Sequence, residues 1–337
     1  MGALIVRDGE IVGEGFHHVA GAAHAEVEAL RVAGGRAQGA TMYVSLEPCN
    51  HTGKTPPCSR ALIDAGVTRV VIGTLDPNPK TARGGVQALE SAGVAVTVLE
   101  APAAKHLIEA FARAIIKTDR PYVVVKMASS IDGCIAQEAG TQHWLTGPQA
   151  KSAVRDLRIA YDAVMVGAGT VRIDNPQLTV RPPHTRLRPY VRVVVCETAT
   201  LPADRAVFAP VDGYDRTIIL APTGIRDRFA ALQDRAEIIF AGAPESRELS
   251  LVEAMGALRA RGISSVLCEG GPTLAGRLVA AGLVDRFVWL VAPVVLGGSK
   301  AVRVLNPPPG VALPSIAIDT VERVGDDLLL SGTVASV

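Results

Sequence analysis

Short apolar runs alternate with amphipathic stretches along the whole chain. Residues 3–6 and 11–15 flank Asp8-Gly9, a dipeptide suited to a tight two-residue turn, so the chain is expected to open on a β-hairpin. A helical pattern over 25–33 stops at Gly34-Gly35. Residues 41–46 read as a strand. Pro56-Pro57 opens a helix that ends at Gly66, with proline at its start and glycine just past its end. A strand over 67–74, a helix over 87–92 and a strand over 94–99 complete a series that predicts α/β layers. A helix over 107–116 leads into Lys117-Thr118-Asp119-Arg120-Pro121, where a domain boundary is expected, giving domains 1–117 and 118–337. A second α/β series follows. Its strands are expected at 122–127, 163–166, 191–196, 217–220, 238–240, 265–268 and 286–291, and its helices at 148–160, 251–261 and 273–281. Residues 182–189 form a proline- and arginine-rich loop, and no internal repeat or low-complexity segment is visible.

A chain of 337 residues fits two domains, and a hydrophobic content of 48% is enough to fill two cores. The apolar segment 287–298 is too short for a membrane span and contains Pro293. The first residues read as a strand and turn, with no signal peptide, so a soluble cytoplasmic protein is expected. A net charge of +1 and 4% aromatics argue against a nucleic-acid partner, because such partners need a basic surface or a stacking platform. Five cysteines, an odd and sparse count, argue against a disulfide framework. Cys134, Cys196 and Cys268 lie in apolar contexts and read as ordinary buried thiols, whereas Cys49 and Cys58 do not.

His24-Ala25-Glu26 is followed by Pro48-Cys49 and, after eight intervening residues, Cys58. One histidine and two cysteines give Zn²⁺ three ligands and leave the fourth position for water, the arrangement of a catalytic site. Zinc brings the pKa of that water to about 7. Glu26, two residues from a ligand, is placed to take the proton and pass it to a leaving amine. The His-x-Glu…Pro-Cys order marks zinc deaminases, which normally have two residues between the cysteines. Cys58 follows Pro56-Pro57 and so falls in the first turn of a helix, where a thiolate is stabilised. The competing reading is a surface histidine with two core cysteines.

The insert Pro48-Cys49-Asn50-His51-Thr52-Gly53-Lys54-Thr55-Pro56-Pro57-Cys58 resembles that of the bifunctional deaminase–reductases of riboflavin biosynthesis, and Asp76-Pro77-Asn78-Pro79 matches a second element of that family. The resemblance implies a cytidine-deaminase-like three-layer first domain in which His51, Lys54, Asp76 and Asn78 help hold the substrate. Downstream, Lys126-Met127-Ala128-Ser129-Ser130-Ile131-Asp132-Gly133, Trp144-Leu145-Thr146-Gly147, Leu157-Arg158, Val166-Gly167-Ala168-Gly169-Thr170, the segment from Asp174 to Arg181 and Glu269-Gly270-Gly271-Pro272-Thr273-Leu274 follow in family order. They imply a dihydrofolate-reductase-like α/β domain that uses NADPH. By resemblance, Ala128, Trp144, Thr170, Asp174, Gly271, Pro272, Thr273, Leu274, Ala275, Gly276 and Arg277 contact the cofactor, and Gln142, Arg158, Leu178, Arg181 and Glu269 face the substrate. The residues themselves support the cofactor site in part: glycines at a strand-to-helix turn admit phosphate to backbone N–H groups, although Gly-x-Gly-x-x-Gly is absent. Lys126 and Glu269 are candidate proton donors.

The chain departs from the family pattern in three places. Gln142 stands where a serine usually lies, and Cys196-Glu197 stands where an Asp-Ser pair usually follows the strand, both of which would retune ligand binding. The family also has an N-terminal helix and an Asn-Pro-x-Val-Gly turn before the hairpin, and Met1-Gly2 falls inside that turn. Apolar surface is therefore expected to be exposed, with a start assigned too late or a trimmed chain as the cause. The expected function is deamination of a pyrimidine ribosyl phosphate followed by reduction of its sugar, in a homo-oligomer. The alternatives are a reductase with a crippled deaminase domain and, less consistent with the charge and the long insert, a nucleic-acid-editing deaminase.

Overall fold

The structure is a computed structural model that describes residues 1–18, 21–52, 56–117, 119–140, 144–180, 190–197, 201–212, 214–215 and 217–335. It divides into two compact units, Met1–Lys117 and Thr118–Val337.

The first unit contains β1 (Gly2–Arg7), β2 (Glu10–Phe16), α1 (Ala25–Ala33), β3 (Thr41–Leu46), α2 (Cys58–Asp64), β4 (Arg69–Thr74), α3 (Gly84–Ser91), β5 (Ala95–Val98) and α4 (Pro102–Ile116). Its sheet has the order β2-β1-β3-β4-β5. The β1–β2 and β1–β3 pairs are antiparallel, and the β3–β4 and β4–β5 pairs are parallel. Asp8 and Gly9 both adopt positive φ, 52° and 83°, as the predicted hairpin turn requires. Glycines in β2 let α1 lie directly on the sheet: a Cβ at Gly13 would fall 2.3 Å from the Ala29 carbonyl, and one at Gly15 would fall 2.4 Å from that of Ala25. Ile5, Met42, Leu62, Ile72 and Leu89 are fully buried in the core this creates. Leu4, Phe16, Tyr43 and Leu99 are exposed, around an open cavity of about 700 Å³ that Val71 and Gly73 also line.

The second unit contains β6 (Tyr122–Ser130), β7 (Cys134–Ala136), α5 (Pro148–Ala160), β8 (Ala163–Gly167), α6 (Ala168–Asp174), β9 (Val191–Val195), β10 (Thr217–Pro222), β11 (Ala236–Ala241), α7 (Leu251–Ala260), β12 (Ser265–Cys268), α8 (Pro272–Ala280), β13 (Arg286–Ala292), β14 (Val302–Arg303), β15 (Ile316–Val324) and β16 (Asp327–Val334). The large sheet runs β11-β10-β9-β8-β12-β6-β13-β16-β15, and β7 pairs with β14 apart from it. From β11 to β13 the pairing is parallel throughout. The last two strands form an antiparallel hairpin packed edge-on against β13. Strands covered on both faces are apolar at nearly every position, and all five residues of β9 are buried. Two clusters, one containing Val125 and Met255 and the other Tyr190 and Phe229, fill the two faces. The Arg286 side chain, 1% exposed, ties β13 to the hairpin through Asp319 and Ser331.

Several boundaries differ from the sequence expectation. Helix α3 begins at Gly84 and not at 87, because its two leading glycines hide a helix start in the sequence. Helix α4 begins at Pro102 and not at 107, with proline in the first turn, where its missing N–H costs nothing. The β15–β16 hairpin was not anticipated: β15 is half-exposed along its length, so it lacks the apolar run that marked the buried strands. The loop 182–189 lies outside the described residues.

The contact between β2 and α1 gives a direct test. Gly13→Ala should destabilise the protein by about 2 kcal/mol through overpacking, whereas Gly35→Ala, where an added Cβ meets nothing within 4 Å, should not. Urea unfolding of the two variants beside the wild type would show equal midpoints if the close approach at Gly13 did not matter.

Candidate functional site

The metal candidates converge in the first unit. His24 caps the start of α1 in extended backbone, with φ −73° and ψ 162°. Cys58 is the first residue of α2, behind Pro57. Cys49 lies just beyond β3. Their ligand atoms all lie within 4.8 Å of one another. The His24 Nδ1 is 3.2 Å from the Cys58 Sγ and 3.6 Å from the Cys49 Sγ. Two ligand atoms on a tetrahedral zinc, with bonds of about 2.1 and 2.3 Å, stand about 3.6 Å apart. The nitrogen–sulfur spacings and the soft donor set therefore fit zinc.

The two sulfurs influence each other's ionisation. The neighbouring Cys58 thiol chiefly lowers the Cys49 pKa, to about 5, and the Cys58 backbone N–H donates to the Cys49 sulfur at 3.4 Å. Cys58 is correspondingly pushed up, first by the neighbouring Cys49 and then by burial. The His17 ring meets His24 edge-on at 5.3 Å and is itself fixed by the Ala23 carbonyl. Glu26, in the first turn of α1, is 6% exposed, and burial raises its carboxyl above the ordinary value. A carboxyl whose pKa is raised in this way is better suited to both accepting and donating a proton than an ordinary ionised one.

The other expected deaminase residues divide. Asp76 and Asn78 are half-buried, but they build their own turn: the Asp76 carboxylate accepts from the Asn78 N–H and the Thr81 hydroxyl, and the Asn78 side-chain oxygen accepts from the Lys80 N–H. His51 is exposed, and Lys54 lies outside the described residues.

Sequence reasoning missed Glu47. Its carboxylate is 5% exposed and accepts four backbone N–H groups, from Asp76 and Arg83 on one oxygen and from Gly85 and Val86 on the other, at 3.0 to 3.2 Å. Gly85 completes the join, since a Cβ there would fall 1.9 Å from the Pro48 carbonyl. The loop that bears Asp76 and Asn78 and the N-terminus of α3 are thus fastened beside the residue that precedes Cys49. The available signal was a glutamate directly at a strand end before Pro48-Cys49.

The second unit gathers charge at the carboxyl ends of its parallel strands. Arg158, from α5, donates from Nε and Nη2 to the two Glu269 oxygens at 2.6 and 2.8 Å and from Nη1 to the Thr179 carbonyl at 2.9 Å. Burial would raise the Glu269 carboxyl, but the Arg158 hydrogen bonds and charge, with help from Lys126, outweigh it and hold the group below its ordinary value. Burial depresses the Lys126 ammonium, against the attraction of Glu269. Leu178 is buried with φ of 56°, a strained setting for leucine. At the turn between β12 and α8, Gly271 faces Thr170: a Cβ there would meet the Thr170 Oγ1 at 3.8 Å, so the backbone stands open beside the first turn of α8. Gly276 packs α8 against the chain at Asn306, where a Cβ would fall 2.3 Å from the carbonyl. Thr273 is exposed and Leu274 and Ala275 are buried, and Ala128 on β6 is half-buried. Asp174 is exposed, and Trp144 is 72% exposed with the Lys151 ammonium 4.7 Å above its ring. Gln142 and Arg181 lie outside the described residues.

Comparison with known proteins matches both units. Residues 1–74 match the cytidine and deoxycytidylate deaminase zinc-binding region, and residues 121–330 match the RibD C-terminal domain. The chain is 39% identical over 348 residues to the riboflavin biosynthesis protein RibD of Escherichia coli, covering 98% of this chain and 92% of that one. Among solved structures it is similar to Acinetobacter baumannii RibD, with TM-score 0.78 and 34% identity over 99% of this chain and 92% of the other. It is also similar to a Thermotoga maritima diaminohydroxyphosphoribosylaminopyrimidine deaminase/5-amino-6-(5-phosphoribosylamino)uracil reductase, with TM-score 0.78 and 32% identity over 99% and 91%.

Glu47→Gln tests the fastening. An amide cannot accept on both sides, so buried N–H groups lose their partner at about 1–3 kcal/mol. The variant should keep its zinc and lose most of its ammonia release. Undiminished release would show that the loop does not need this anchor.

Proposed function

This chain belongs to the RibD family of riboflavin biosynthesis proteins, and from that footing we propose which of its residues carry each half of the family's chemistry. The chain is a bifunctional deaminase and reductase, with a cytidine-deaminase-like first domain and a dihydrofolate-reductase-like second domain. It uses zinc in the first and NADPH in the second. Domain limits of 1–117 and 118–337 follow the two compact units.

In the deaminase, His24, Cys49 and Cys58 hold the zinc. Zinc, when bound, supplies a water acidified to a pKa of about 7. Glu26 takes a proton from the attacking water and delivers it to the departing amine of 2,5-diamino-6-(5-phosphoribosylamino)pyrimidin-4(3H)-one, so that ammonia leaves the ring carbon. Burial of Glu26 excludes bulk water from that proton path. The Asp76–Asn78 turn, held by Glu47, forms a wall of the substrate site, and His51 and Lys54 are assigned to the same substrate by their family motif.

In the reductase, NADPH, when bound, would supply the hydride for C1 of the opened ribosyl chain, giving a ribityl amine. The Gly270-Gly271 turn and the first N–H groups of α8 receive the cofactor phosphates. Ala128, Trp144, Thr170 and Asp174 flank the cofactor, and Gln142, Arg158, Leu178, Arg181 and Glu269 face the substrate. Arg158 is fixed by Glu269 and the Thr179 carbonyl, so it presents a rigid positive edge. Opening the ribose ring requires a proton on the ring oxygen. Lys126 suits that role better than Glu269, because burial favours loss of its proton whereas Arg158 keeps Glu269 ionised.

The partner on this reading is a free pyrimidine ribosyl phosphate and not a nucleic acid, in keeping with a net charge of +1. No helix among the described residues is long and apolar enough to cross a membrane. A cytoplasmic homo-oligomer completes the proposal.

The observation that carries the deaminase assignment is the convergence of His24, Cys49 and Cys58 beside buried Glu26. Glu26→Gln should retain about one zinc per chain while ammonia release from the diamino substrate falls by about 10²- to 10⁴-fold. NADPH oxidation with the deaminated substrate should continue in the same variant. A variant that still deaminates at the wild-type rate would remove Glu26 from the mechanism.

A further inference from the structure

At the carboxyl edge of the large sheet, Glu197 follows β9 and is bound on two sides. One of its oxygens accepts from Nη1 of Arg277 on α8, at 2.5 Å, and the other accepts from the Leu249 N–H at 2.9 Å. Arg277 closes the ring by donating from Nη2 to the Leu249 carbonyl at 3.1 Å. Glu197 and Arg277 keep 31% and 18% of their side-chain surface, so the pair is reachable from solvent.

Its position bears on the cofactor. In sheet order, β9 is two strands from β12, across β8. Strands stand about 4.8 Å apart, so the pair lies about 10 Å from the Gly270-Gly271 turn. Lys126, on β6, lies on the other side of β12, close to Glu269 and Arg158. A dinucleotide with its phosphates on the glycine turn and its nicotinamide toward Lys126 therefore runs its adenosine toward β9. At that end, an acidic side chain binds the ribose 2′-hydroxyl of NADH, while an arginine meets the 2′-phosphate of NADPH. Here both are present, and each occupies the other.

We propose that the Glu197–Arg277 pair sets the reductase's choice between NADPH and NADH and relaxes it. The carboxylate offers an acceptor to a 2′-hydroxyl, repels a 2′-phosphate and engages the guanidinium that such a phosphate needs. NADPH binds with Arg277 drawn from Glu197, and NADH binds with the pair intact. This inference rests on the cofactor placement given above.

The test measures kcat/KM for both dinucleotides with the deaminated substrate in the full chain. The wild type should discriminate between them by no more than about tenfold. Glu197→Gln keeps an acceptor for Leu249 and removes the charge. It should raise the preference for NADPH by about tenfold or more, the scale of one relieved like-charge contact, through a lower KM for NADPH with kcat unchanged. Glu197→Ser should act in the same direction. A wild type that rejects NADH outright would overturn the proposal. So would a Glu197→Gln variant whose NADPH-to-NADH ratio is unmoved, even if its melting temperature falls, since that would leave the pair a purely structural tie. Failure of both dinucleotides to bind, read by quenching of tryptophan fluorescence, would instead bring down the reductase site on which the inference stands.

Discussion

A parallel strand that runs into a helix ends with backbone groups and side chains facing one edge of the sheet, and both units build their chemistry on that constraint. Beyond β3 the chain continues Glu47-Pro48-Cys49, and beyond β12 it continues Glu269-Gly270-Gly271. In each case the residue directly after the strand is a glutamate turned inward. Ligands of open α/β sheets gather outside the carboxyl ends of the strands, because there helix starts and loop ends leave donors free. Cys49, proposed to hold zinc, and the turn at Gly271, proposed to receive phosphate, occupy corresponding positions in two separate sheets.

A carboxylate at such a place must be matched, since an isolated buried charge costs several kcal/mol. The two glutamates are matched differently, and the difference suits the two reactions. Glu47 is surrounded by four backbone N–H groups, so its effect is mechanical: it joins β3, the Asp76 turn and α3. Glu269 is matched by Arg158 and faces Lys126, so its effect is electrostatic. Three charged groups share one enclosure there, and the proton of the least solvated cation is the easiest to move. The Arg286–Asp319 pair is a third case, in which a fully buried arginine fixes where the C-terminal hairpin joins the sheet.

The glycines show the same economy of space. Gly13 and Gly15 bring α1 onto β2, which sets His24 and Glu26 at the start of that helix against the sheet. Gly85 brings α3 against Pro48, and Gly276 brings α8 against Asn306. Each removes a methyl group where a backbone carbonyl of another segment passes. The side chains proposed for catalysis are thereby held by helices that cannot slide without a clash.

Much of this was legible from the residues. His24, Glu26, Cys49 and Cys58 could be read as one site because the ligand types, their order and the prolines that start α2 are local features. The buried strands could be read because burial on both faces demands apolar residues at nearly every position, as in β8, where all but the last residue are buried. The half-exposed edge strand β15 and the glycine-led start of α3 could not, because the one lacks an apolar run and the other opens on two poor helix formers. Glu47 looked like one acidic residue among many until the fold placed four N–H groups around it. The same holds for Glu197, visible in sequence as an unusual residue after a strand, whose pairing with Arg277 eighty positions away only the packing of α8 against the sheet edge could decide. Sequence determined which chemical groups this protein has and which local elements carry them. The tertiary structure decided which charges face one another, because that depends on the close approach of segments between which the chain has no periodic relation.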